Sequence, residues 1–75
     1  MPRKTEPAAR RLVAEIYRAT DGRINQWRNL TTIAERARAD AEAIHLAALR
    51  DWIDLSPKQD PHSVALLDAG KSLVE

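Results

Sequence analysis

Leu12, Val13, Ile16 and Tyr17 recur at i, i+1, i+4 and i+5, which is one stripe of an α-helix. They predict a first helix over residues 7–19, with Arg10, Arg11, Glu15 and Arg18 turned to water. Pro7 suits its first turn, with Thr5 or Glu6 as the cap. Thr20-Asp21-Gly22 marks its end, where Gly22 can take the left-handed conformation that closes helices. Gln26-Trp27-Arg28 alternates polar, aromatic and polar, which predicts a brief strand. Its indole is expected in the core, because one large ring contributes heavily to burial in a small domain.

The stretch LTTIAERARADAEAIHLAALRDWIDL, residues 30–55, organises the rest. Thr31 or Thr32 can cap a short helix over residues 32–37, and Glu35 stands three residues after Thr32, the capping-box spacing. That helix turns Ile33, Ala34 and Ala37 inward and Glu35, Arg36 and Arg38 outward. Asp40 is a second N-cap, opening a helix over residues 40–50. This second helix carries two apolar stripes, Ile44-Ala47-Ala48 and Leu46-Leu49, on well-separated sides of the wheel. Trp52, Ile53 and Leu55 favour a strand, Pro57 and Pro61 break the ladder across residues 56–62, and a second strand follows over residues 63–67 with Val64 and Leu66 inward. Asp68 caps a final helical turn.

Two short helices joined by a tight break and followed by a hairpin make a helix-turn-helix with a wing. The expected fold is therefore mainly α with a small β wing (α+β). It has a three-helix core, a two- or three-stranded antiparallel sheet and a short C-terminal helix. The predicted core is Leu12, Val13, Ile16, Ile33, Ile44, Trp52, Ile53, Val64 and Leu66. Residues 1–6 read as a flexible basic tail and 7–75 as the domain.

A 75-residue chain is one domain, and a domain of this size buries only about 60% of its unfolded surface. It has no cysteine, so the fold must hold by packing alone. Neither a membrane-spanning run of ~18 apolar residues nor a secretory signal is apparent, and a soluble, cytoplasmic protein is expected. The net charge of +1 conceals an asymmetry. Nine Lys or Arg stand against four Asp or Glu in residues 1–38, and three against seven in residues 39–75. A basic first half can mark a nucleic-acid face; an ordinary solvated helix face is the competing reading.

The segment from Ser63 to Val74 resembles the close of bacterial winged helix-turn-helix domains, in which a second wing strand runs through Leu-Thr-(Asp/Glu)-x-Gly-(Arg/Lys)-x-Leu into a last helix. Leu66, Asp68, Gly70, Lys71 and Leu73 match. Leu67 replaces the usual Thr, which would pass the cap to Asp68, and Asp51 stands where Gly usually ends the second motif helix. With IAERA at residues 33–37 and the strand at 52–55, the resemblance covers residues 13–75. It implies a small DNA-binding transcriptional regulator whose helix at 40–50 lies in a major groove, its N-terminal residues reading base edges.

Base readout needs Arg, Lys, Asn or Gln. The helix offers Ala41, Glu42 and His45 instead, so weak sequence selectivity is expected. Glu42 could accept from cytosine N4, but it equally stabilises a first turn. Phosphate contacts are better supplied by Arg28, Thr31, Thr32, Arg36 and Arg38 around the start of the first motif helix, and by Lys58, Gln59 and His62 at the wing tip. The expected partner is double-stranded DNA. The alternative is a protein-interaction module or homodimer that uses Leu46 and Leu49 as its surface. Neither a ligand-spaced histidine pair, a phosphate loop nor a nucleophile motif is present, so neither catalysis nor a cofactor is expected.

Overall fold

The computed structural model describes residues 5–75. The elements run α1 (Thr5–Thr20), β1 (Trp27–Asn29), α2 (Leu30–Ala37), α3 (Ala41–Leu49), β2 (Ile53–Ser56), β3 (Ser63–Leu66) and α4 (Asp68–Val74). The protein is a mainly helical α+β domain with one three-stranded antiparallel sheet in the order β1-β3-β2. This is the arrangement of elements expected from the sequence. Thr5 and Glu6, expected in a tail, belong to α1; the rest of that tail lies outside the described residues.

The apolar stripe of α1 supplies Leu12, Val13 and Ile16, none of them exposed. Around it pack Leu30, Ile33 and Ala37 of α2, Ala43 and Ala47 of α3, Trp52, Ile53 of β2, and Val64 and Leu66 of β3. Each large aliphatic side chain withdrawn from water stabilises the fold by about 1.5–3 kcal/mol. One expected core residue is displaced: Ile44 is only partly buried. The inward face of α3 is Ala43-Ala47 rather than Ile44-Ala47-Ala48, because α3 makes its most extensive contacts with α1 and small residues permit that approach.

Trp27 also departs from expectation: it is 43% exposed. The register places Trp27 and Asp54 opposite Ala65, and Arg28 and Leu55 opposite Val64. Side chains paired across a ladder share a face, so Val64 and Leu66 point into the core while Trp27 projects from the opposite face of the sheet.

The three longer helices end alike. Asp21, Arg38 and Asp51 take left-handed φ values of 58°, 55° and 60°. The residue after each returns its N–H across five positions: Gly22 to Tyr17 O at 2.8 Å, Ala39 to Ala34 O at 3.0 Å and Trp52 to Ala47 O at 3.0 Å. This closure satisfies carbonyls that the helix leaves free. Asp51 thus does the work expected of it, and Gly22 is left-handed as expected, at φ 77°.

Two expected caps are replaced. β1 runs into α2 without a loop, so Asn29 caps α2 by accepting the Thr32 N–H at 3.0 Å, in place of Thr31 or Thr32. Leu67 occupies the cap position of α4 and gives no side-chain hydrogen bond, while Asp68 is already in the helix.

Candidate nucleic-acid interface

The link between α2 and α3 is held from both sides. Asp40 accepts the Ala43 N–H at 2.9 Å, the N-cap expected of it. Arg11 does not simply turn to water: its Nε donates to Ala37 O at 2.9 Å and its guanidinium reaches Arg38 O at 3.4 Å. A charged donor on these free carbonyls complements the negative end of α2 and ties the α2–α3 link to α1.

The expected contact residues fall into two groups. Arg28, Asn29, Thr32 and Arg36, with Ala19 and Ile33, line an open hollow of about 330 Å³. Thr31 is exposed beside it on α2. Arg38, expected near the start of α2, is instead its C-cap and sits at the opposite end. Asn29 was not among the expected contacts, although an Asn immediately before a helical run is a cap signal.

The second group lies between α3 and the hairpin. His45 and Lys58 share a hollow of about 270 Å³ with Leu30, Ala41, Ile44, Leu55 and Pro61. They also share one of about 230 Å³ that includes Ala48, Asp51 and Asp54. Thus α3 and the hairpin present one continuous surface, more apolar than basic. Glu42 and Gln59 are exposed but line neither hollow. Lys58 is tied to Asp54 at 3.1 Å, and His62 lies 3.6 Å from Asp60. The backbone of His62 anchors the hairpin to α2, its carbonyl accepting the Leu30 N–H at 2.9 Å.

Charge pairing separates these surfaces. Glu6 holds Arg10 at 3.1 Å and Arg50 at 3.8 Å, Glu15 holds Arg18 at 3.1 Å, and Asp54 holds Lys58. Arg10 and Arg50 also stand over the Trp52 ring, 5.9 and 5.4 Å from its centroid. Among the described residues, Arg23, Arg28, Arg36 and Arg38 form no ion pair. Four cations with Glu35 as the sole carboxylate between them make residues 23–38 a basic segment without ion pairs among the described residues, with Arg28 and Arg36 at the hollow and Arg38 at the far end of α2.

Leu46 packs partly against the core, whereas Leu49 is 69% exposed. Among the described residues, no group of three His, Cys, Asp or Glu could hold a metal ion, and no helix is long and apolar enough to cross a membrane. In comparisons with known proteins, the chain matches no family model, no curated protein and no solved structure.

Proposed function

We propose that this chain is a winged helix-turn-helix protein that binds double-stranded DNA mainly through phosphate contacts, with little sequence selectivity, as a small transcriptional regulator. The observation that carries the reading is that Arg23, Arg28, Arg36 and Arg38, close together in sequence, form no ion pair among the described residues. Carboxylates hold Arg10 and Arg18 of α1 and Lys58 of the hairpin, and Arg11 is engaged by the carbonyls of Ala37 and Arg38, so the long-range attraction for a polyanion comes mainly from the segment running from Arg23 through β1 and α2 to Arg38. The hydroxyl of Thr32 and the guanidinium groups of Arg28 and Arg36, around one hollow, are groups that commonly contact phosphate. The low selectivity follows from α3, whose exposed Ala41, Glu42 and His45 include none of the bidentate base readers.

An amide chemical-shift titration with a short mixed-sequence duplex tests this. Shifts are expected at Arg28, Thr31, Thr32, Arg36, Arg38, His45 and the hairpin tip from Lys58 to His62. The double variant Arg28→Glu/Arg36→Glu should abolish them while leaving the fold intact, since exposed charges usually contribute within about 0.5 kcal/mol to stability.

A second reading, a protein-interaction module or homodimer, is favoured by the exposure of Leu49. In that case the duplex would leave the spectrum unchanged, and dilution alone would move the signals of Leu46 and Leu49.

A further inference from the structure

We infer that Trp27 is a stacking platform for an unpaired base, so that single-stranded nucleic acid gains at this surface a contact that a closed duplex cannot make. The inference deepens the nucleic-acid reading and rests on it. Trp27 is on the outer face of an edge strand and is 43% exposed. Its register neighbour on that face is the fully buried Ala65, whose methyl gives the ring an apolar floor. The remaining strand residues of the same parity are Asn29, Ser56, Ser63 and Asp54. All are polar and none is bulky, so no neighbouring strand side chain rises high enough to cover the indole.

What should occupy this face is indicated by charge. Arg28 is the next residue of the same strand; by register it shares Val64's side of the sheet, but β1 is an edge strand and the Arg28 guanidinium stays at that edge, donating to the Trp27 carbonyl at 2.9 Å. Arg23 stands four residues before Trp27, also without an ion pair among the described residues. An aromatic ring on an edge strand whose backbone carries an unneutralised guanidinium is complementary to a base whose flanking phosphate lies along that edge. Stacking of this kind tolerates any base, since each presents a π-face, which agrees with the lack of base-reading side chains on α3.

The test compares an oligothymidylate of about 12 nucleotides with a duplex of the same length at one salt concentration, for the full chain and for Trp27→Ala and Trp27→Phe. The single strand should bind more tightly than the duplex and quench tryptophan emission. Trp27→Phe leaves Trp52 as the sole indole and should keep most of the affinity without the quenching. Trp27→Ala should lose roughly 5- to 150-fold in single-strand affinity, the value of one base–aromatic stack, with duplex affinity unchanged.

Equal single-strand binding by the parent and Trp27→Ala would overturn the inference while leaving duplex binding, and so the broader reading, in place. Failure to bind either oligonucleotide would overturn both. An emission change with protein concentration alone, abolished in Trp27→Ala, would make the ring a protein contact and overturn the stacking role.

Discussion

Gly70 meets Trp52 so closely that a methyl on its α-carbon would overlap the Trp52 carbonyl oxygen. The same oxygen accepts the Leu67 N–H at 3.1 Å, so the first turn of α4 is seated on the backbone leading into β2. Ala is the better helix former by about 1 kcal/mol, yet the collision is with backbone and cannot be relieved by a rotamer change. Gly70→Ala should therefore destabilise the domain by about 1–3 kcal/mol, read as a lower urea midpoint at unchanged slope. Ser72→Ala, at an exposed position of the same helix, is the control and should leave the midpoint within error or raise it.

Asp51 offers the opposite opportunity. Its φ of 60° costs a residue with a side chain about 1–2 kcal/mol, less for Asp than for most. Glycine would remove that strain but adds freedom to the unfolded chain. A net gain of about 0.5 kcal/mol is expected for Asp51→Gly, a rise of roughly 2–4 °C in Tm for a domain of this size. A fall in Tm would mean that the Asp51 carboxylate makes a stabilising contact in the hollow it lines with His45 and Lys58.

The helices, the hairpin and most of the core were legible because they rest on local signals: the stripe of α1, the cap at Asp40, and the prolines between β2 and β3. The misplacements share a cause, which is dependence on partners distant in sequence. Trp27 has the composition of a core residue, and its exposure follows from pairing with Ala65, 38 positions away. The alanine face of α3 is selected by the proximity of α1, and apolar residues on several sides of α3 gave no single stripe to choose. Arg11 reads as a solvated helix position, and its bonds to Ala37 and Arg38 appear only once α1 and α2 pack. Of the candidate site, the cations could be listed from sequence. Their sorting into neutralised and unneutralised sets depends in part on three-dimensional neighbours, as with Arg50 and Glu6.

Tyr17 links α1 to the end of the chain, its hydroxyl donating to Glu75 at 3.0 Å. That hydrogen bond to the carboxylate, reinforced by desolvation and by the negative charges of Glu75 and Asp21, raises the phenol above its ordinary pKa of 10.0. The folded state therefore holds the proton more tightly than the unfolded state. The stabilisation is fully present below pH 10 and is lost as pH rises through the folded-state value. Because the chain has one tyrosine, absorbance titration of the phenolate reads this group alone. The folded protein should ionise at higher pH than a denatured sample, and Glu75→Gln should move the transition back toward the ordinary value. Coincident titration curves for native and denatured protein would refute the linkage.

Salt dependence gives the proposed interface its most quantitative test. Each phosphate neutralised on duplex DNA contributes about −0.9 to the slope of log affinity against log salt. Arg23, Arg28, Arg36 and Arg38 form no ion pair among the described residues, and all four engaging would give a slope near −3.6. Lys58 is held by Asp54 and should add little, because its release to a phosphate exposes a carboxylate beside the same polyanion. Arg28→Ala with Arg36→Ala should reduce the magnitude of the slope by roughly 1.8, whereas Lys58→Ala should leave it nearly unchanged. A parent slope near zero would remove the electrostatic basis of the proposal. A slope that responded to Lys58 and ignored Arg28 and Arg36 would move the interface to the hairpin and α3.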